Sequence, residues 1–221
     1  QLVSLGANVQ PFYAQFQGSL VRGYPIYSYF DLPILNYHEQ NGVVEPSDVT
    51  VGKTQSYLGA TSPGTQFATT SSISFLDKLI SVSAQFDYRG SFVIFDYASA
   101  LRCAVGYCKG TALRGQDIPD QVALAAYNSA SSLAGFVRDA SFTRFRELAV
   151  TLNVPSQAAH RIGASSASVT LAGRNLALWT HYTGVDPEVQ SNLGNASAGA
   201  FSDPGGIPPA TYWIAKISLA Y

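Results

Sequence analysis

Apolar and polar residues alternate with a period of two over residues 78–90. The apolar positions are Ile80, Val82, Ala84, Phe86 and Tyr88, and the polar positions between them are Ser81, Ser83, Gln85, Asp87 and Arg89. Successive side chains of a β-strand point to opposite faces, so this pattern predicts a strand with one apolar face.

Four further segments carry the same alternation: residues 66–76, 142–154, 167–182 and 211–221. The Asp77-Lys78 step predicts a tight hairpin, and Pro155 predicts the end of a strand because proline has no amide to donate to a sheet. Gly173 predicts a bulge or a close approach. Less regular patterns in residues 2–17, 20–23 and 27–35 predict two or three further strands. Together the segments predict an all-β fold with one continuous antiparallel sheet of about seven or eight strands.

The segment 211–221 is apolar on one face and mixed on the other. Trp213, Ile217 and Leu219 share the apolar face with Tyr221, the last residue, and Lys216 lies on the mixed face. A strand of about 9–11 residues with these two faces is typical of an outer-membrane β-barrel. In such a wall Lys216 would face the lumen, as would Gln85, Asp87 and Arg89. The alternative is a secreted β-sandwich, which would stay in solution without detergent.

The predicted connections differ greatly in length. Residues 77–78 and 156–166 make short turns, whereas residues 102–140 and 184–210 make long loops, the asymmetry of an outer-membrane barrel. Residues 118–133 are rich in alanine and predict a short helix. Four residues are candidate loop contacts: Tyr107 and Tyr127 for stacking on a sugar, and Asp186 and Glu188 for a cation. Ordinary surface tyrosines and an ordinary turn are the alternatives.

Composition fits a wall with one face in lipid, and also a secreted sandwich. Only 12% of the residues are charged, beside 13 Tyr and 12 Phe. A net charge of −1 gives no reason to expect nucleic acid as a partner. No apolar run is long enough for a membrane helix, and residues 1–10 lack the pattern of a signal peptide.

Catalytic, cofactor and metal motifs do not stand out in the sequence. There is no G-x-S-x-G nucleophile motif and no phosphate-binding glycine loop, so we expect neither an enzyme nor a cofactor. Cys103 and Cys108 are not spaced as a zinc-binding pair, and no histidine is near them in the sequence. In an oxidising compartment they would form a disulfide that closes a small surface loop. Two free thiols are the alternative.

Several short motifs occur in a consistent order along residues 18–221. They are Gly23-Tyr-Pro25, Tyr57-Leu-Gly59 with Pro63, Phe86-Asp-Tyr-Arg-Gly90, Ser141-Phe-Thr-Arg-Phe-Arg-Glu-Leu148, Gly173-Arg-Asn-Leu176, Gly184-Val-Asp-Pro-Glu188, and Pro208-Pro209 before the final strand. In this order they resemble the C-terminal part of SusC/RagA-type TonB-dependent outer-membrane transporters. Glu147 and Asp96 depart from the family's usual residues.

The resemblance implies that residues 1–221 form part of a larger barrel, one of 22 strands with a plugged lumen. The plug and the earlier strands would lie outside this chain. Trp213, Ile217, Leu219 and Tyr221 would form the signal read by the barrel-assembly machinery. From their own position near the start of the strand at 142–154, Arg144 and Arg146 are predicted to meet lipid headgroups or lipopolysaccharide phosphates; snorkelling at the membrane interface is the alternative.

The resemblance also implies a function in the bacterial outer membrane. The barrel would import nutrients, oligosaccharides or peptides, beneath a SusD-like surface lipoprotein, with energy supplied by TonB through the plug. The alternative is a structural barrel element that scaffolds a larger assembly and imports nothing.

Overall fold

The computed structural model describes residues 1–4, 18–112, 115–189 and 202–221. Most of the predicted strand at 2–17 and part of the second long loop therefore lie outside the described residues. The strands are β1 (Tyr29–Asp31), β2 (Ile34–Tyr37), β3 (Val49–Val51), β4 (Ser56–Gly59), β5 (Thr65–Phe75), β6 (Ile80–Gly90), β7 (Val93–Phe95), β8 (Val137–Asp139), β9 (Phe142–Val154), β10 (Ser166–Thr180) and β11 (Tyr212–Ala220); the α-helices are α1 (Tyr97–Ala104), α2 (Lys109–Ala112), α3 (Ile118–Ala130) and α4 (Ser156–Arg161).

The chain divides into two compact units. The loop unit comprises Gln1–Gly64, Gly90–Ser141 and His181–Pro208, and the sheet unit comprises Thr65–Arg89, Phe142–Thr180 and Pro209–Tyr221. The described strands form one five-stranded sheet and three two-stranded sheets. The prediction of one continuous sheet of seven or eight strands is therefore wrong. The short strands pair among themselves instead: β1 with β4, β2 with β3 and β7 with β8.

The five-stranded sheet has the order β11-β10-β9-β6-β5, and no closed barrel is formed by the described residues. The neighbouring strands β11 and β10, β10 and β9, and β9 and β6 are antiparallel. Val169 of β10, for example, lies opposite Leu152 of β9 and Ile217 of β11. These strands are 9 to 15 residues long, and they lie within one or two residues of the segments with period-two alternation. The mostly antiparallel β architecture agrees with the predicted fold class.

The predicted hairpin between β5 and β6 is confirmed. Asp77 and Lys78 have φ of 52° and 69°, and the Leu79 amide donates to the Leu76 carbonyl at 3.0 Å. Positive φ at both central residues matches the right-handed twist of the flanking strands. At the other turn, β9 ends before Pro155 as predicted, but the connection that follows contains α4.

Gly173 is a point of close approach, as the sequence allowed. A Cβ on Gly173 would lie 2.8 Å from the Trp213 Cζ3 atom. The register shift of β10 follows it, between Arg174 and Ala177. Within that shift Asn175 has φ of 53°, a conformation that asparagine tolerates better than most residues.

The loop unit contains an ordinary apolar core. Its main cluster consists of Tyr29, Phe95, Cys103, Cys108, Ala123, Leu133 and Phe136, and a second cluster contains Val44, Val49, Val122, Ala125 and Ala126. Helix α3 contributes to both clusters and lies within the helix predicted at 118–133. The strand predicted at 20–23 is wrong, because the chain turns at Arg22 and Gly23. No helix in the described parts of the chain has the length and apolarity needed to cross a membrane.

Candidate functional site

One face of the five-stranded sheet is apolar and exposed; we call it the apolar face. Directly paired residues lie on the same side of a sheet, so the register groups three rows: Ile80–Leu152–Val169–Ile217, Val82–Val150–Leu171–Ala215 and Ala84–Leu148–Gly173–Trp213. Ile217 is 71% exposed and Trp213 is 65% exposed. These side chains form a broad apolar surface that the described residues do not cover.

Aromatic residues extend the apolar face towards the end of β6. The Phe86 and Phe145 rings stack with centroids 4.4 Å apart, and Tyr88 and Trp179 both pair with Thr143 in the row beyond them. The eight steps from Ile80 to Tyr88 span roughly 27 Å along the strand, or about 20 Å along a membrane normal at a tilt near 40°. That height is close to the apolar band of outer-membrane barrels, about 25 Å, with aromatic residues at its edge.

The opposite side of the sheet, the polar face, carries every charged side chain of the five strands. These residues are Asp87, Arg89, Arg144, Arg146, Glu147, Arg174 and Lys216. Lys216 pairs with Thr170, and in the same row the Thr151 and Thr170 hydroxyls are 2.8 Å apart. The four residues predicted to face a lumen, Gln85, Asp87, Arg89 and Lys216, therefore share one face by the register of the sheet.

A bulge in β9 brings Arg146 onto the polar face. Strict alternation would place Arg146 on the apolar face, opposite to Glu147, but the register shifts between Gln85 and Phe86 of the partner strand. Arg146 then donates to both carboxylate oxygens of Asp87, at 2.5 and 2.7 Å. Bulges commonly redirect a side chain in this way. The sequence signal that we missed is a charge at an apolar position of the alternation.

The other charges lie at the same level as the bulge. Arg174 donates to Glu147 at 2.5 Å and to the Tyr212 hydroxyl at 3.4 Å. Glu147, which departs from the family's usual residue, thus pairs with Arg174. Arg174 is on β10, which is separated by β9 from the strand of Asp87. Arg89 lies 4.0 Å from Asp87. We call the six residues at this level the arginine belt: Asp87, Arg89, Arg144, Arg146, Glu147 and Arg174.

The prediction that Arg144 and Arg146 meet lipid headgroups or lipopolysaccharide is wrong. Arg144 is only 3% exposed, and Arg146 is bonded to Asp87, so neither reaches outward to lipid headgroups or lipopolysaccharide. The structure buries Tyr182 in the loop unit and places Tyr212 on the polar face beside Arg174.

The loop unit has a small apolar pocket of about 160 Å³. Its lining includes Phe95, Tyr97, Leu124, Tyr127 and Phe136, from α1, α3 and the segments that flank them. Of the two tyrosines predicted as loop contacts, Tyr127 lines this pocket and Tyr107 does not. Tyr107 is instead 82% exposed. The pocket can accept an apolar group, and it offers little for recognising a polar one.

Asp186 and Glu188 form a turn. The Glu188 amide donates to Asp186 Oδ1 at 2.8 Å, which is how aspartate commonly orders a loop. Asp186 is buried, and it does not belong to a cluster of potential metal ligands among the described residues. The single such cluster found there is Cys103, Cys108 and Asp120, and its two cysteines are bonded to each other.

Cys103 and Cys108 form a disulfide with Cα atoms 4.6 Å apart. The bond links the last turn of α1 to the segment before α2. We expected it to staple a surface loop, but both cysteines lie in the main apolar cluster of the loop unit. The disulfide therefore contributes to the core of that unit, and a disulfide-bonded sulfur is not a metal ligand of the thiolate type.

Sequence analysis missed a buried hydrogen-bond network around Asp203. This carboxylate accepts from the Tyr182 hydroxyl at 3.0 Å and from the amides of Val185 and Gly205 at 3.2 and 2.8 Å. Burial, reinforced by nearby Asp96 and Asp203, raises the pKa of Tyr182 above its ordinary value. The phenol is therefore neutral at physiological pH and acts as a hydrogen-bond donor.

Arg138 joins three parts of the loop unit. Its guanidinium bonds to Asp120 of α3 and to Thr183, and it lies 3.8 Å from Asp96. Asp96 caps α1 by accepting from the Ser99 amide at 2.9 Å. The second departure from the family's pattern, Asp96, is thus a helix cap in this structure. All of these contacts order loops, and none assembles a catalytic constellation.

The residues predicted as a barrel-assembly signal lie on β11 and directly after it. Trp213, Ile217 and Leu219 alternate with Lys216 and are on the apolar face. Tyr221 follows the end of the strand and is exposed. Their role as a signal stays a prediction.

No protein-family model and no curated protein matches the chain. Its fold is similar to part of solved structures of the RagAB peptide importer. In the open-open state the TM-score is 0.67 at 18% identity, covering 99% of this chain and 25% of that chain; in the closed-closed state it is 0.62 at 17% identity, covering 97% and 25%. A structure described as the RagAB peptide transporter gives 0.65 at 17% identity, covering 96% and 24%.

The chain therefore spans about a quarter of the importer chains that it matches. The resemblance to SusC/RagA-type transporters is confirmed at the level of the fold. At this identity the similarity concerns the fold alone.

Proposed function

We propose that this chain forms part of the wall and loops of an outer-membrane β-barrel that imports nutrients. The observation that carries the proposal is the separation of charge in the five-stranded sheet. All seven charged side chains of its strands lie on the polar face, and the apolar face is exposed and uncharged. In water the apolar face would be an aggregation liability, whereas lipid is its natural environment.

The proposal fixes the orientation of the sheet. The apolar face contacts lipid, and the polar face, with Gln85, Asp87, Arg89 and Lys216, faces the lumen. Arginine or lysine at the lipid-facing midplane of a barrel costs about 2–4 kcal/mol. The bulge that brings Arg146 to Asp87 avoids such a cost, which is a physical reason for an irregular strand at this point.

The open edges of the sheet support a larger assembly. Strands β5 and β11 each have one unpaired edge in the described structure. Lipid cannot satisfy the hydrogen bonds of such edges, so the wall must continue with further strands. A chain that matches about a quarter of an importer chain is consistent with a partial wall. The proposal includes a complete wall of 22 strands and a plug.

We assign the transported material to the peptide class first, because the matched proteins are peptide importers. An oligosaccharide substrate is the second choice. A SusD-like surface lipoprotein would cover the loop unit, where Tyr107 and Tyr127 offer exposed aromatic surface. Energy would come from TonB through the plug, and the barrel-assembly machinery would recognise Trp213, Ile217, Leu219 and Tyr221.

Uptake by intact cells tests this proposal. Cells that produce the intact protein should accumulate an isotope-labelled mixture of short peptides, and deletion of its gene or a protonophore should abolish that uptake. Outer-membrane fractions establish in parallel that the protein is inserted. A protein that is inserted but gives no energy-dependent uptake of peptides or oligosaccharides would contradict import and favour a scaffold. A protein that is soluble without detergent would contradict the membrane assignment itself.

A further inference from the structure

Cations outnumber carboxylates on the polar face of the sheet. Five arginine and lysine side chains share it with Asp87 and Glu147, which leaves a net charge of +3. The whole chain, by contrast, has a net charge of −1. The excess positive charge is therefore a local property of this face.

The excess is concentrated in the arginine belt. The belt contains four guanidinium groups and two carboxylates, whereas Lys216 pairs with Thr170, four positions along β10 from Arg174. Four positions along a strand correspond to roughly 13 Å, which is longer than the Debye length at physiological salt, about 8 Å. Lys216 is thus a natural internal control for the belt.

Each carboxylate of the belt already has a short arginine contact. Asp87 accepts two hydrogen bonds from Arg146, and Glu147 accepts one from Arg174 at 2.5 Å. Arg89 and Arg144 add two further positive charges to this balanced set. The side chain of Arg89 is 43% exposed and that of Arg174 is 47% exposed. A soluble anion can therefore reach the belt.

A low-dielectric wall strengthens the field of the belt. Surfaces lined by one sign of charge concentrate oppositely charged solutes, most strongly where the surrounding walls are apolar. Guanidinium groups also match carboxylates in geometry, since two parallel N–H groups can bind the two oxygens. The belt thus combines long-range attraction with a short-range fit for a carboxylate.

We propose that the arginine belt is a binding site for carboxylate groups of the imported solute, so that the barrel prefers acidic peptides. This inference rests on the proposed function, because it requires the polar face to line the transport path. Arg89 and Arg174 make the direct contacts. Arg146 holds Asp87 in place, and Arg144 adds to the positive field of the belt.

Two matched peptides test the inference on the intact protein purified in detergent. The first is a hexapeptide with two glutamates and a free carboxyl terminus, and the second has glutamines at those positions and an amidated terminus. We expect calorimetry to show that the acidic peptide binds roughly 10-fold more tightly, which corresponds to one charge-assisted contact of about 1.4 kcal/mol. The preference should fall as salt is raised.

Arg89→Gln is the variant of choice, because Asp87 keeps both bonds from Arg146. It should weaken binding of the acidic peptide about 5- to 10-fold and leave the neutral peptide unchanged. Lys216→Gln removes the same charge from the same face and should change neither affinity by more than about 2-fold, given its distance from the belt. Arg174→Gln combined with Glu147→Gln removes a contact without changing net charge and should give a loss smaller than that of Arg89→Gln.

Equal affinity of the native protein for the two peptides would overturn the inference. Equal losses from Arg89→Gln and Lys216→Gln would overturn it as well, since they would indicate a diffuse field. Unchanged affinity for the acidic peptide in Arg89→Gln would show that the belt faces other protein surface instead of solute. In each case energy-dependent uptake of peptides by cells would leave the proposed function standing, whereas the absence of any peptide or oligosaccharide uptake would remove both.

Discussion

The two units of this chain differ in the size of the apolar residues that they bury. The loop unit buries large apolar residues such as Tyr29, Phe95 and Phe136 in one cluster. On the strands of the sheet unit the buried apolar residues are mostly alanines, with Phe142 the one large exception among the described residues. The loop unit therefore has a core of large apolar residues, while the sheet unit exposes its large apolar residues, as expected of the proposed membrane wall.

The two units also differ in where they place their charged side chains. The loop unit buries Asp31, Asp96 and Asp203. Each of these carboxylates accepts a hydrogen bond from a backbone amide, Asp203 also accepts one from the Tyr182 hydroxyl, and the Arg138 guanidinium lies 3.8 Å from Asp96. The sheet unit brings all its strand charges to one face. The two units thus place apolar and charged side chains differently, and the proposed lipid environment of the sheet unit would explain the difference. The predictions that follow test whether the two units respond differently to the same kind of change.

Truncation of the loop-unit core should have the largest effect. Phe136→Ala removes a buried ring and should destabilise the loop unit by about 3–5 kcal/mol. Hydrogen exchange monitored by mass spectrometry should show lost protection in α1 and α3, with little change in β9 and β10. Tyr107→Ala, at an exposed aromatic, is the control and should leave exchange unchanged. Equal loss of protection in both units would contradict their separate cores.

A charge on the apolar face should come next. Leu171→Arg should destabilise the sheet in a lipid bilayer by about 2–4 kcal/mol. The neighbouring Thr170→Arg, on the polar face, should cost far less. Urea unfolding in vesicles measures the free-energy cost of each substitution. The folded fraction is read from the difference in electrophoretic mobility between unheated and heated samples. Similar costs at the two positions would mean that neither face contacts lipid.

Loss of the disulfide should weaken the loop unit alone. Replacing Cys103 and Cys108 by serine opens a six-residue loop, which costs about 2 kcal/mol in the chain-entropy model. Thermal unfolding should show a lower midpoint temperature for one transition, the one that hydrogen exchange assigns to α1 and α3. Reduction of the native protein should shift the same transition by a similar amount. A shift of the sheet transition instead would contradict the placement of this bond.

The smallest effect concerns pH and Asp31. Burial raises the pKa of this carboxyl above its ordinary value of 3.8, and hydrogen bonds from Leu133 and Leu32 oppose the rise. The folded state then binds the proton more tightly than the unfolded state, so stability falls as pH rises through the raised pKa and is gained below it. NMR titration should place the carboxyl pKa above that of an exposed aspartate, and Asp31→Asn should remove this pH dependence. A pKa at or below the ordinary value would be the contrary result.

The long strands could be predicted because their evidence is local. A period of two identifies β6 and β9 from a dozen residues each, and Pro155 marks the end of β9. The bulge at Arg146 was missed because alternation assumes an unbroken register. The bulge places Arg146 against Asp87, which lies 59 residues away in the sequence, and alternation along one strand carries no information about that contact.

The loop unit was harder to predict because distant contacts form it. Gln121 of α3 accepts from the Val44 amide across 77 residues, and Asp31 accepts from the Leu133 amide across 102 residues. Short strands such as β1 and β7 are defined by these contacts and carry little pattern of their own. For the arginine belt, the sequence identified Asp87 and Arg89, while Arg144, Arg146 and Arg174 required the register of the sheet.

The most direct test of the account is a cysteine scan along β10 in a lipid bilayer. Single cysteines at residues 168–171 would carry a nitroxide spin label, and the native disulfide would not react with the reagent. The account predicts that labels at Val169 and Leu171 are relaxed by oxygen dissolved in lipid, and that labels at Ser168 and Thr170 are relaxed by a water-soluble nickel complex. Equal accessibility at all four positions, or the reverse alternation, would contradict a membrane wall.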